Sequence, residues 1–89
     1  MRLKWTNGAV LDLALIFRFR KNPKIITAIR QSCRLLESQP NMGRKVDDNL
    51  REWRIPYGRY GFTALYKIDQ DCIIILGVRH QRQSPSHDV

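Results

Sequence analysis

The chain has 89 residues, 43% hydrophobic and 27% charged, which suits one small globular core and excludes both a disordered chain and a two-domain protein. Sixteen Lys and Arg face eight Asp and Glu, leaving a net charge of +8, and eleven of the sixteen are arginine. Arginine's planar fork matches phosphate or carboxylate oxygens in pairs, so a polyanionic partner is expected, either nucleic acid or an acidic protein segment; the plainer reading is charge kept for solubility.

In chain order, Leu3, Lys4 and Trp5 read as a short opening strand. Thr6 or Asn7 then caps a helix from about Gly8, with Val10, Leu13, Ala14 and Phe17 at helical spacing. Leu11, Leu15 and Ile16 widen that stripe until the helix is apolar nearly all round, which predicts cover on more than one side. Asn22 caps a second helix and Pro23 suits its first position, where the missing N–H costs nothing. Ile25, Ile26, Ile29, Cys33 and Leu36 form its inner face, Arg30, Gln31 and Arg34 lie nearer the other side, and Pro40 ends it. So short a joint favours an antiparallel helical hairpin.

Residues 41–49 are polar and read as a loop. Trp53 and Ile55 alternate with Glu52 and Arg54 in a strand that Pro56-Tyr57-Gly58 breaks. Tyr60, Phe62, Ala64, Tyr66 and Ile68 share one face of a longer strand, Asp69-Gln70-Asp71 turns the chain, and the apolar run 72–78 suggests a strand buried on both faces. The fold class is α+β: an N-terminal strand, then a helical hairpin packed on a small antiparallel sheet. One domain over residues 1–83 is expected, with 84–89 a flexible C-terminal tail.

Several chemistries find no support. Cys33 and Cys72 lack any metal-ligand spacing and read as two reduced core thiols. His80 and His87 stand alone, so neither zinc nor another metal is expected. Gly58 and Gly61 are turn and strand glycines rather than a phosphate loop, and no cofactor is implied. Val10 to Phe19 contains Asp12 and Arg18 and is too short to span a bilayer, and nothing at the start reads as a signal peptide; a cytoplasmic protein without membrane association is expected. A DNA-binding repressor is disfavoured because neither helix has a face polar enough to enter a groove.

The opening LKWT, NMGR after the second helix, LREWRIPYGRYGFTALYKI and CIIILGVRHQRQ together resemble the ParE/RelE toxin superfamily over about residues 2 to 83. Arg51-Glu52, then Leu65-Tyr66-Lys67-Ile68, then Arg79-His80-Gln81-Arg82 carry the likeness. It implies the toxin half of a type II toxin–antitoxin module, a growth inhibitor of the plasmid-stabilisation kind, neutralised by a cognate acidic antitoxin. Two targets are implied on this fold: DNA gyrase for ParE-like members, and the ribosome with its mRNA for RelE-like endonucleases.

For the nuclease reading the candidates are Arg79, His80 and Arg82, since cleavage needs acid–base groups and cations on the scissile phosphate. The position where the nuclease branch implies a central-strand Arg holds Thr63, and its C-terminal Tyr has no counterpart. That favours the ParE-like branch, acting by binding rather than as an enzyme. The candidate binding surface is Arg51, Arg54, Tyr57, Arg59, Tyr60, Leu65, Ile73, Ile75, Arg79 and Arg82, with Leu65, Ile73 and Ile75 on the sheet face away from Tyr66 and Ile74. Trp53, Phe62 and Tyr66 read as core aromatics, and Tyr57 and Tyr60 as exposed ones beside a turn. For His80 the plainer reading is a surface residue or a hydrogen-bond anchor.

Overall fold

A computed structural model describes residues 1–81, so Arg82, His87 and the expected boundary between residues 83 and 84 lie outside the described residues. The elements are β1 (Arg2–Trp5), α1 (Asn7–Arg20), α2 (Pro23–Arg34), a 3-10 turn (Leu35–Glu37), β2 (Arg44–Lys45), β3 (Arg51–Ile55), β4 (Phe62–Asp69) and β5 (Cys72–His80). The strands form one sheet in the order β1-β5-β4-β3-β2. It is α+β as expected, but the sheet is mixed: β1 runs parallel to β5, and the other pairs are antiparallel.

Local chemistry sets the helix boundaries. The Thr6 hydroxyl accepts from the Ala9 N–H at 3.0 Å, and Asn22 Oδ1 accepts from the Lys24 N–H at 3.0 Å, so each side chain satisfies one orphan donor of a first turn. Between them Lys21 takes a left-handed conformation (φ 57°) and donates its N–H to the Phe17 carbonyl, closing α1 just before α2 is capped.

The core lies between the helices and one face of the sheet: Ala9, Leu13 and Ile16 from α1; Ile25, Ile29 and Cys33 from α2; and Leu36, Ile55, Phe62, Ala64, Tyr66, Ile73, Ile75 and Val78. Three expectations need correction. First, α1 is covered on one side only, and Val10, Leu11, Leu15, Phe17 and Phe19 are exposed, Phe19 by 76%. The hairpin supplies one neighbouring helix, too little to wrap a helix apolar all round. Second, β5 is buried on one face alone: Ile73, Ile75 and Val78 are buried, whereas Cys72, Ile74 and Leu76 are half-buried. Among the described residues no helix lies over the second face, so Cys72 is not a core thiol.

Third, Ile73 and Ile75 share the core face with Tyr66, and it is Leu65, Ile74 and Leu76 that face away. The tight turn pairs Asp69 with Cys72, so Tyr66 stands opposite Ile75 rather than Ile74. A bulge then shifts the register: Tyr66 pairs with Ile75, but Leu65 pairs with Gly77, and Leu76 is the extra residue. Beyond it the inward positions of β5 become Val78 and His80.

Candidate functional site

The exposed sheet face is built by alternation from the register. Across it, β1 presents Arg2 and Lys4; β5 presents Ile74, Leu76 and Arg79; β4 presents Thr63, Leu65 and Lys67; β3 presents Glu52 and Arg54. Leu65, Ile74 and Leu76 make a half-buried apolar strip, and cations stand on both sides of it. Glu52 is engaged with Arg44 of β2 at 2.6 Å. Arg54 and Arg79 are exposed and both neighbour Thr63, Arg54 across β3–β4 and Arg79 across β4–β5. The structure therefore brings together Arg54, Leu65 and Arg79 of the expected surface, and adds Ile74 and Leu76 in place of Ile73 and Ile75.

Arg51 is half-buried and engages the loop before β2. Its Nη1 donates to the carbonyls of Asn41 and Gly43 at 3.0 and 2.7 Å. The same loop is held by Tyr66, whose hydroxyl donates to the Pro40 carbonyl at 2.7 Å and accepts from the Gly43 N–H at 2.9 Å. Burial raises the Tyr66 pKa, against smaller lowering effects of the Gly43 amide and the Arg51 charge, so the phenol keeps the proton it donates. A Cβ on Gly43 would stand 2.6 Å from the Tyr66 ring and hydroxyl, so only glycine fits in NMGR. Arg51 and Tyr66 thus shape the loop behind β3.

His80 and Arg79 adjoin in sequence but occupy opposite faces of the sheet. Among the inward-facing groups, His80 is 9% exposed, meets Phe62 edge-on at 5.1 Å, and its Nε2 lies 2.6 Å from Arg20 Nη2. Guanidinium only donates, so Nε2 accepts and the ring proton sits on Nδ1. The lone pair that a general base would use is occupied by Arg20. Sequence reasoning missed Arg20, because no local pattern links two residues so far apart. His80 and Arg20 border a cleft of about 460 Å³ with Leu15, Ile16, Phe19 and Phe62.

Tyr60 is exposed (42%), with the Arg59 guanidinium 5.9 Å from its ring centre. Tyr57 differs from its expected exposure: it is half-buried and packs against Phe62, ring centres 6.2 Å apart. Of the expected core aromatics, Phe62 and Tyr66 are buried, while Trp53 is half-buried and donates its indole N–H to Ser32. Cys33 is buried and Cys72 half-buried, both as free thiols. Among the described residues no cluster of His, Cys, Asp and Glu offers a metal site, and no helix is long and apolar enough to cross a membrane.

Comparison with known proteins bears on this arrangement. The fold is similar to a chain of the chromosomal ParDE TA system from P. aeruginosa, with a TM-score of 0.73 and 24% identity over 90% of this chain and 95% of that one. Toxin RelE3 of Caulobacter vibrioides is 26% identical over 57 residues, which are 64% of this chain and 62% of that protein. The match thus spans under two thirds of that relative. The family described as "ParE toxin of type II toxin-antitoxin system, parDE" matches residues 3–85, nearly the whole chain, and the chain therefore belongs to the ParE toxin family.

Proposed function

We propose that this toxin acts by binding, with DNA gyrase as its target, and that a cognate acidic antitoxin neutralises it in the cytoplasm. The observation that carries the binding reading is the opposite placement of Arg79 and His80. A phosphate held by Arg79 on the exposed face has no access to the imidazole, which lies on the core face against Arg20. On the exposed face Glu52 is engaged with Arg44. A cation pair beside Thr63, with no base at hand among the described residues, suits recognition of a carboxylate-rich surface better than cleavage of RNA.

An acidic antitoxin is supported by charge and by exposed apolar area. The chain carries +8 and leaves two apolar surfaces uncovered among the described residues, the outer side of α1 and the strip of Leu65, Ile74 and Leu76. Such surfaces on a small protein mark interaction sites. The second reading, a ribosome-dependent mRNA endonuclease, draws on the name of the RelE3 relative and on the Arg54–Thr63–Arg79 row.

Purified toxin should block gyrase-dependent supercoiling and leave ribosome-bound mRNA intact. Cleavage of mRNA in the ribosomal decoding site, abolished by Arg79→Ala while antitoxin binding persists, would establish the nuclease instead. Co-purification from the native operon should yield a tight complex with a small acidic protein, and a toxin that is monomeric and harmless when expressed alone would argue against the antitoxin.

A further inference from the structure

The row of α1 that borders the cleft beside His80 has unlike ends. Asp12, Ile16 and Arg20 follow one another at four-residue spacing and so share one line of the helix, about 12 Å long at the helical rise. Leu15 and Phe19 form the next row outward, both exposed, and Phe62 of β4 lines the sheet side. The walls are therefore apolar between an acid at one end and a cation at the other.

The two end charges are held differently. The Asp12 carboxylate is engaged, accepting the Val78 N–H at 2.9 Å. Arg20 meets no carboxylate among the described residues; its partner is the buried imidazole of His80, 2.6 Å from Nη2. A neutral imidazole orients the guanidinium without neutralising it, and takes up one of several N–H donors. A fixed, uncompensated cation at the end of an apolar cleft is a receptor for an anionic group attached to an apolar body.

We propose that this cleft of about 460 Å³ binds a small organic monocarboxylate, an aryl- or alkyl-carboxylic acid short enough to lie along α1 between Arg20 and Asp12. The carboxylate pairs with Arg20, and the apolar body covers Leu15, Ile16, Phe19 and Phe62. A planar carboxylate matches the guanidinium fork through two parallel N–H···O bonds. Asp12 sets the direction of binding and selects for a single charge, because a diacid would bring its second carboxylate toward Asp12. A phosphate ester is disfavoured for the same reason: its second charge finds Arg20 alone, since Arg79 presents its side chain on the other face of the sheet.

The test is a titration of the intact, isotope-labelled protein with 4-phenylbutyrate, followed by NMR, with 4-phenylbutyramide and inorganic phosphate as comparisons. Phenylbutyrate should shift the Phe19, Arg20 and His80 resonances with a dissociation constant on the order of 1 mM, ordinary for so small a ligand. The neutral amide should bind about tenfold more weakly, having lost the charge-assisted pair. Arg20→Met, which keeps the stem and removes the charge, should weaken phenylbutyrate by about tenfold as well. Leu15→Glu leaves the Arg20–His80 bond in place and adds a carboxylate to the exposed wall, so it should weaken the acid more than the amide whether or not the Arg20 variant folds. The inference is overturned if phenylbutyrate does not bind, if the amide binds as tightly, if phosphate at equal concentration shifts Arg20 as far, or if the shifts map away from the cleft.

Discussion

Asp12 of α1 accepts the backbone N–H of Val78 at 2.9 Å, and this bond pins the bulge in β5. Gly77 lies beside it, where a Cβ would stand 3.0 Å from the same carboxylate oxygen. The Thr6 hydroxyl reaches the carbonyls of Ile75 and Leu76 at 3.1 and 3.3 Å, so the start of α1 holds the bulge from both ends. The extra residue inverts the alternation beyond it: without the bulge Arg79 would turn to the core and His80 to the exposed face. Asp12→Ala should cost about 1.5–3 kcal/mol by urea denaturation, the range for a hydrogen bond to a charged group. It should also disturb the Val78, Arg79 and His80 amide resonances and lower toxicity. A variant with parental stability and an unchanged spectrum would refute this role.

For His80 the geometry predicts an anchor. His80→Ala should remove the bond to Arg20 and the edge-on contact with Phe62, lowering stability by about 1–3 kcal/mol. Toxicity in cells should fall only in part. Loss of all toxicity in a variant that melts like the parent would mark His80 as chemically essential.

Tyr66→Phe leaves the Gly43 N–H and the Pro40 carbonyl without their partner in a buried setting, so a loss of about 1–3 kcal/mol is expected in thermal or urea melts. Gly43→Ala should be no milder, since its Cβ meets the Tyr66 ring and the Glu52 carbonyl. The paired variants should be far from additive because both act on one contact.

Ile29 and Leu36 are fully buried, and each truncation to alanine should cost about 2–5 kcal/mol, a large part of a small domain's stability. Chemical denaturation of the two variants measures this directly; melting like the parent would be incompatible with the packing described.

Burial pushes the Cys33 thiol up to about 12 from an ordinary value of 9.0. The folded state therefore holds this proton more tightly than the unfolded chain. The resulting stability is fully present below pH 9 and is lost as pH rises toward 12. Thiol alkylation near pH 8, followed by mass mapping, should label Cys72 readily and Cys33 only on unfolding. Equal labelling of both in the native protein would contradict the burial.

Much of the fold was legible from local chemistry. Thr6 and Asn22 announce helix starts because their side chains satisfy amides two or three residues on, and Pro23 fits where no amide is needed. The inner face of α2 follows from helical spacing, and Asp69-Gln70-Asp71 marks a turn, with Gln70 at φ 56°. The order of elements, with the stretches from LKWT to CIIILGVRHQRQ, carried the resemblance to the toxin family that matches residues 3–85. What only the tertiary structure decided is the parity of the strands. A turn fixes register to a single residue, a bulge resets it, and each one-residue step exchanges the faces of the sheet. That is why Ile73 and Ile75 are core and Ile74 and Leu76 are not, and why Arg79 faces outward while His80 meets Arg20. The deciding contact, Asp12 on Val78, joins residues far apart in sequence, and no local pattern encodes it.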